Sequence, residues 1–322
     1  MSDEVGSRRL PFRLVYHDGY DLNLGAHIFP SQKYRLIRER LLAEGIAESG
    51  DFVEPAAATF EQLTLVHDPD WIERLRNGTL TYLEIVRLEI PYTPRTVEAF
   101  FLAAGGTILA CRFALKEGLG INLGGGFHHA FADHGEGFCA INDLAVAVRV
   151  LQKEGLIRKA MIVDCDAHQG NGTAFIFRND PDVMTISIHQ LNNYPAIKPP
   201  STIDIHLEGC TGDERYLQLL RESYEPSLDS FRPDLILYVA GADPYQADQL
   251  GGLCLTMEGL KERDRLVLGL AVERGIPVAV TLAGGYAWKL EDTVAIHVNT
   301  VRVAAEVMRG NRGAGRQNFV AS

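Results

Sequence analysis

Three residues with metal-ligand chemistry stand where two predicted strands end. Asp166 and His168 follow the apolar run AMIVD, and Asp243 follows the run DLILYVAG. Two carboxylates and one imidazole suit Zn²⁺ or Fe²⁺, and three protein ligands leave a coordination position open for water and substrate. In the alternative interpretation, the aspartates cap helices and the histidine is a core residue. The other polar residues at the same strand ends favour the metal site.

Two adjacent histidines, His128 and His129, lie in the glycine-rich segment GGGFHHA. The glycines at 124–126 give the backbone enough freedom for both imidazoles to face one pocket. A phosphate-binding loop is the rival interpretation, but no Lys-Ser/Thr pair follows the glycines. Imidazoles titrate near neutral pH, so this pair can take a proton from water and return one to a leaving amine.

Tyr286 follows Gly284 and Gly285 at the end of another predicted strand, PVAVTLAGG. The glycines let the backbone approach the site closely, and we predict that they contribute to substrate binding. A phenol there can donate a hydrogen bond to a developing oxyanion, an interaction whose loss costs about 3 kcal/mol. A single tyrosine is more often a core residue, and only the neighbouring polar residues favour the catalytic interpretation.

The elements that carry these residues alternate between short apolar strands and helices. Near-continuous Val/Ile/Leu strands joined by helices are typical of a parallel sheet buried on both faces, and ligands bind beyond the carboxyl ends of such strands. We therefore predict a single α/β domain at 1–311, with a mostly parallel central sheet flanked by helices, and a flexible tail at 312–322. The predicted strands are 12–17, 63–67, 121–123, 160–166, 183–189, 234–241 and 277–285.

A long helix is predicted after Pro94, although it contains Gly105 and Gly106. Each glycine inside a helix costs roughly 1 kcal/mol relative to alanine. We expect this pair to allow a neighbouring element to pack closely.

The composition excludes several classes of protein. A net charge of −11 argues against a nucleic-acid partner and is compatible with cationic substrates. The five cysteines contain no CxxC pair, so neither a disulfide framework nor a zinc finger is expected, and a reducing compartment is the default. We expect neither a signal peptide nor a membrane span, because the N-terminal segment is polar and no run of 18 or more apolar residues occurs. We expect a cytoplasmic protein, and the oligomeric state is not specified.

Five segments together resemble the histone deacetylase family, most closely its class IV branch and bacterial relatives. They are GGGFHHA at 124–130, GFCAINDLAVA at 137–147, VDCDAHQGNGT at 163–173, AGADPYQADQLGGL at 240–253 and AGGYAWKL at 283–290. The resemblance implies an arginase/deacetylase-like fold. It also implies zinc-dependent hydrolysis of an acylated amine, such as acetyl- or longer acyl-lysine in a protein. An acetylpolyamine amidohydrolase is the alternative.

The resemblance also assigns roles to residues at the strand ends. It makes Asp166, His168 and Asp243 the zinc ligands. His128 and His129 match the family's histidine pair, with His129 as the base that takes a proton from water. Tyr286 matches the residue that polarises the carbonyl, and Asp164 matches the partner of His128. The resemblance also makes Asp164, Ser187 and Ile188 ligands of a structural K⁺ ion.

Other matches concern the substrate tunnel. Gly137 and Phe138 correspond to one wall of the narrow acyl-lysine tunnel, and Tyr194 stands near the opposing wall. Glu89 is the only acid in LEIPYTPR at 88–95, where many members carry an aspartate that binds a peptide backbone.

Two departures from familiar patterns have chemical consequences. Asn171 stands where many members have a carboxylate, and an amide can orient His129 but cannot stabilise its imidazolium by charge. We therefore expect a lower pKa for His129 than in relatives with the carboxylate. A second alternative, an arginase-like enzyme with two manganese ions, needs additional carboxylates where this chain has Gly170 and Gly241.

Overall fold

A single eight-stranded parallel sheet forms the centre of the computed structural model, which describes residues 7–317. The strand order is β2-β1-β3-β8-β7-β4-β5-β6, and every neighbouring pair is parallel. The predicted single α/β domain is therefore confirmed. The strands are β1 Arg13–Val15, β2 Phe52–Val53, β3 Leu119–Asn122, β4 Ala160–Asp164, β5 Val183–Gln190, β6 Ile203–Leu207, β7 Leu235–Val239 and β8 Val278–Thr281.

Ten helices surround this sheet within the described residues. They are α1 Lys33–Ala43, α2 Phe60–Leu63, α3 Pro69–Asn77, α4 Tyr82–Leu88, α5 Pro94–Glu117, α6 Asp143–Lys153, α7 Asn171–Phe177, α8 Asp213–Phe231, α9 Met257–Glu273 and α10 Leu290–Gln317. Helix α5 packs on β1, β3 and β8 and against α6, whereas α9 packs between α8 and α10. Strands β3, β4, β7 and β8 are buried along their whole length and form the core between these helices.

Helix α5 is the long helix predicted after Pro94. Thr93 caps its first turn, Pro94 occupies the first helical position, and Gly118 ends it with a left-handed φ of 89°. A side chain at Gly105 would overlap the carbonyl oxygen of Ala56, and one at Gly106 would overlap the Tyr20 hydroxyl. The expected close packing at the glycine pair is confirmed.

Among the described residues, α5 is also the one helix long and apolar enough to cross a membrane by length and composition alone. Within its most apolar window, 67% of the residues are buried inside the protein. A core helix that packs on a sheet has this same character.

The central strands β3, β8, β7 and β4 are adjacent in the sheet. They are the strands whose carboxyl ends precede the histidine pair, the Tyr286 segment, Asp243 and Asp166, respectively. Because all four run in the same direction, their ends meet at one edge, and residues distant in sequence come together there.

Several elements differ from the sequence predictions. The predicted strand at 63–67 is instead the end of α2 and a turn, because Thr59 and Gln62 form a capping box that starts a helix. Strands β2 and β6, at the two edges of the sheet, and helix α4 were not predicted. Helix α10 extends to Gln317, into the predicted tail, and 318–322 lie outside the described residues.

The cysteine expectation was wrong in one respect. A disulfide joins Cys210, after β6, to Cys254, after β7. The two backbones are already held together, since the Cys210 amide donates to Gly252 and the Cys254 amide donates to Thr211. With this pair oxidised, the cysteines no longer indicate a reducing compartment. The other three cysteines, Cys111, Cys139 and Cys165, are buried and free.

The glycine pair of α5 gives a prediction about stability. Gly105→Ala should lower the free energy of unfolding by about 1–3 kcal/mol, because the added methyl group overpacks the contact with Ala56. Gly269→Ala in α9 is the matched control, since its methyl group would meet no atom within 4 Å. That variant should gain up to about 1 kcal/mol from helix propensity. Urea unfolding of both variants measures the difference; equal effects would contradict the packing argument.

Candidate active site

The predicted metal ligands form one buried cluster at the carboxyl edge of the sheet. Ligand atoms of Asp166, His168 and Asp243 all lie within 4.8 Å of one another. The His168 Nδ1 atom lies 3.0 Å from Asp166 Oδ1 and 3.2 Å from Asp243 Oδ2, so the imidazole and both carboxylates point to a common centre. All three residues are at least nine-tenths buried.

The electrostatics of this cluster fit a cation. Burial, and then the charge of Asp166, raise the pKa of Asp243 to about 7. For Asp166, burial opposes the charged form, but His128 and His168 outweigh it and hold its pKa well below the usual value. Full ionisation of both acids therefore needs additional positive charge beside Asp243. A divalent ion would supply that charge, and the mixed oxygen and nitrogen donors suit Zn²⁺ or Fe²⁺.

Backbone amides fix the carboxylate oxygens. Gly284 N–H donates to Asp166 Oδ2 at 3.1 Å, and Ala167 N–H donates to Asp243 Oδ1 at 2.7 Å. A Cβ at Gly284 would overlap an oxygen of each aspartate, so only glycine fits at this position. Gly284 is thus part of the wall that holds the carboxylates.

His128 has an ionic partner. Its Nδ1 donates to Asp164 Oδ2 at 2.7 Å, and both side chains are buried. Burial opposes the protonated imidazole, but the charges of Asp164 and Asp166 outweigh it and raise the pKa of His128 to about 9.

His129 has a neutral partner instead. Its Nδ1 lies 2.8 Å from Asn171 Oδ1, at the start of α7. Burial, followed by the charges of His128 and His168, holds the pKa of His129 well below its usual value. The two neighbouring imidazoles, whose ring centres are 4.1 Å apart, therefore favour opposite protonation states.

Tyr286 is held at the same edge by its backbone. Its amide donates to Asp248 Oδ2 at 2.6 Å, and Asp248 Oδ1 accepts from the amides of Leu250 and Gly251. The Tyr286 ring lies 6.5 Å from the His168 ring between ring centres. Burial raises the pKa of the phenol well above its ordinary value, so it remains a hydrogen-bond donor at neutral pH.

A narrow cavity of about 150 Å³ leads to these residues. Its lining includes His129, His168 and Tyr286 at the floor, and Phe138 and Tyr194 on the walls. The other lining residues are Glu89, Gly137, Asn193 and Leu250. The structure therefore places the predicted wall residues and the predicted chemistry in one cavity.

The turn that carries Phe138 has an unusual backbone. Gly137 and Phe138 have φ values of 53° and 66°, and the Cys139 amide closes the turn onto the Glu136 carbonyl at 2.9 Å. A Cβ at Gly137 would approach the Tyr194 hydroxyl to 2.7 Å. The glycine thus lets the two walls approach each other closely.

The remaining predicted site residues divide into two groups. Asp164 and Ser187 are direct partners in neighbouring strands β4 and β5, with Ile188 next to them, and all three are buried. Gly285, predicted to contact substrate, does not line the cavity. A Cβ there would meet Thr293 and Ala242, so Gly285 packs against the protein instead.

Several residues of the site gave no signal in the sequence. Arg263, fully buried on α9, donates to the carbonyls of Gly241 and Cys165, which precede Asp243 and Asp166. Asp143 at the start of α6 accepts from the amides of Gly126 and Phe127 and so shapes the histidine loop. A buried arginine or an acid in the first turn of a helix is too common in sequences to single out.

The parallel sheet brings a buried cluster of potential metal ligands and a histidine pair to one edge, an arrangement suited to a hydrolase. A family model described as "Histone deacetylase domain" matches residues 27–301. The chain therefore belongs to the histone deacetylase family and is a hydrolase of the deacetylase type.

Individual relatives agree with this assignment. An uncharacterized protein of Picosynechococcus sp. is 41% identical over 297 residues, which cover 92% of this chain and 99% of that protein. Histone deacetylase 2 of Arabidopsis thaliana is 32% identical over 287 residues, which cover 85% of this chain and 74% of that protein. The crystal structure of the HDA15 HD domain shows the same fold, with a TM-score of 0.79 at 24% identity. The match covers 93% of this chain and 91% of that domain's chain.

The neutral partner of His129 gives a prediction about pH. A general base works only while unprotonated, so the acidic limb of the pH–rate profile follows its pKa. Asn171→Asp adds a negative charge that raises the pKa of His129, and the acidic limb should move to higher pH by roughly one unit. Measurement of kcat/KM across the acidic range tests this. Asn171→Ser, which adds no charge, should not move the limb upward; an unmoved limb in Asn171→Asp would refute the idea.

Proposed function

We propose that this protein removes acyl groups from lysine side chains of proteins or peptides by hydrolysis with one bound Zn²⁺ ion. The observation that carries this proposal is that His129 and His168, a member of the ligand cluster, lie together at the floor of one narrow cavity. A zinc ion held by Asp166, His168 and Asp243 would polarise the amide carbonyl and lower the pKa of a water molecule. Fe²⁺ suits the same ligands.

The side chains around the cluster supply the proton transfers. His129 takes a proton from the attacking water at Nε2, while Asn171 orients the ring through Nδ1. Tyr286 donates a hydrogen bond to the carbonyl oxygen as negative charge develops there. A protonated histidine then gives a proton to the departing amine, and the products are a carboxylate and a free amine. His128, paired with Asp164, contributes positive charge and orientation.

We also propose that Asp164, Ser187 and Ile188 bind a structural K⁺ ion. Asp164 lies beside Ser187 in the sheet and is the acceptor for His128, so a cation there would fix the acid that holds His128. Oxygen ligands suit such a hard cation.

Two features of the structure bear on the substrate. Several large apolar side chains close in sequence to the residues that line the cavity are exposed to solvent. They could contact the protein segments on either side of an acylated lysine. They are Val86, Leu191, Ile197 and Trp288. The carboxylate of Glu89 also lines the cavity and can attract a cationic group. This acid favours the second candidate, hydrolysis of an acetylpolyamine.

An arginase-like reaction with two metal ions does not fit the site. Gly170 and Gly241 stand where additional carboxylates are needed, and a side chain at Gly241 would approach Asp166 Oδ2 to 2.7 Å. Within the described residues, no second cluster of metal-ligand side chains accompanies Asp166, His168 and Asp243.

Activity assays test the proposed reaction. Zinc-loaded protein should hydrolyse acetyl-, butyryl- or myristoyl-lysine peptides more efficiently than an acetylpolyamine, and a chelator should abolish the activity. Tyr286→Phe should lower kcat by about 10²–10³-fold, because the hydrogen bond to the developing oxyanion is lost. Tyr82→Phe, at an exposed tyrosine, is the control. A preference for the acetylpolyamine would favour the second candidate, and failure on every acylated amine would reject the proposed function.

Elemental analysis tests the metal site separately. The zinc-loaded protein should contain one metal ion per chain, and Asp243→Asn should contain much less because one of the three ligands loses its charge. Circular dichroism checks that this variant remains folded. Two ions per chain would contradict the single-metal site and revive the arginase-like alternative.

A further inference from the structure

Glu136 lies directly behind the residue that orients His129. Its Oε1 accepts a hydrogen bond from Asn171 Nδ2 at 2.5 Å, and Asn171 Oδ1 in turn contacts His129 Nδ1 at 2.8 Å. The Tyr194 hydroxyl also lies near this carboxylate and helps to lower its pKa. Glu136 Oε2 lies 3.8 Å from His134 Nε2, and the Glu136 side chain is 20% exposed. A carboxylate, an amide and an imidazole thus form one chain of contacts.

The tight turn at 136–139 fixes the position of this carboxylate. The Glu136 amide donates to the Cys139 carbonyl and the Cys139 amide donates back, at 3.0 and 2.9 Å. Phe138, in the middle of the turn, projects into the cavity wall. The same turn therefore places Phe138 beside the substrate path and Glu136 beside Asn171.

The chemistry of the three groups allows only one arrangement of their protons. An ionised carboxylate only accepts hydrogen bonds, whereas an amide has a donor end and an acceptor end. Burial raises the pKa of Glu136, but the nearby His134 and the hydrogen bond from Asn171 outweigh it and hold this pKa below its usual value. Glu136 is therefore ionised at neutral pH, and the NH₂ group of Asn171 must face it.

The orientation of Asn171 then decides the tautomer of His129. With its NH₂ group toward Glu136, Asn171 presents its carbonyl oxygen to His129, so Nδ1 must carry a hydrogen. The neutral imidazole carries a hydrogen on only one of its two nitrogens, so Nε2 is left with a free lone pair. A flipped amide would instead donate to Nδ1 and leave the hydrogen on Nε2, and that tautomer cannot accept a proton there.

We propose that Glu136 is a positioning residue: it fixes Asn171 in one orientation and thereby holds His129 as the tautomer with a free Nε2. The proposal rests on the proposed role of His129 as the base. Glu136 itself does not touch the reacting atoms. An aspartate at position 171 would place its carboxylate directly against His129. Here the carboxylate of Glu136 lies one side chain further away and acts through Asn171.

The first test measures the tautomer of His129 directly, without an assay of hydrolysis. Selective ¹⁵N labelling of histidine and NMR of the metal-free protein distinguish the two ring nitrogens of His129. Wild type should show a single tautomer with hydrogen on Nδ1. Glu136→Gln fills the same space but can donate as well as accept, so it should show both tautomers. Tyr194→Phe removes a different polar neighbour of Glu136 and should keep the wild-type tautomer. A single Nδ1–H tautomer in Glu136→Gln would overturn the proposal.

The second test separates positioning from packing by kinetics. Glu136→Gln should lower kcat by about three- to tenfold with little change in KM, since only the fraction with a free Nε2 reacts. In the Asn171→Asp background, the aspartate accepts from His129 without help, so adding Glu136→Gln should cause no further loss. An equal loss in both backgrounds would show a packing role and reject the inference. Failure of wild type on every acylated amine would reject the proposed function alone, because the tautomer is measured independently.

Discussion

The site depends on two carboxylates that the fold buries together. Asp166 and Asp243 lie side by side below the cavity floor, and burial with mutual repulsion raises the pKa of Asp243 to about 7. The surroundings also hold these acids in place: Gly284 leaves room for their oxygens, and the buried Arg263 anchors the backbone before each. Such a cluster is ready for a divalent cation, since binding one relieves an unfavourable interaction that the apoprotein must otherwise tolerate.

The histidine pair shows how environment gives one residue type two chemical states. His128 and His129 are neighbours in the chain and almost equally buried. An ionised partner, Asp164, raises the pKa of His128, whereas the neutral Asn171 leaves burial and nearby positive charge to lower the pKa of His129. Groups whose pKa values are pushed apart in this way are suited to separate acid and base roles.

Support for the site reaches far into the fold. Arg263 on α9 pairs with Asp264, which accepts hydrogen bonds from Tyr238 of β7 and Thr300 of α10. This buried network joins two helices to the central strands directly below the ligand cluster. On the opposite side of the cavity, the turn at 136–139 links its wall to Asn171. The metal ligands and the base are thus positioned by different elements.

The sequence alone determined the parallel sheet and most residues of the site. Residues at the ends of parallel strands must share one edge, so Asp166, His168, Asp243, the histidine pair and Tyr286 could be grouped without coordinates. Short apolar runs do not distinguish a strand from a turn of helix, which is why 63–67 was misassigned and β6 was missed. Only the tertiary structure decided that Gly285 faces away from the cavity, that Cys210 meets Cys254, and that Glu136 stands behind Asn171. These contacts depend on the path of loops through space, and no local pattern of residue types encodes that path.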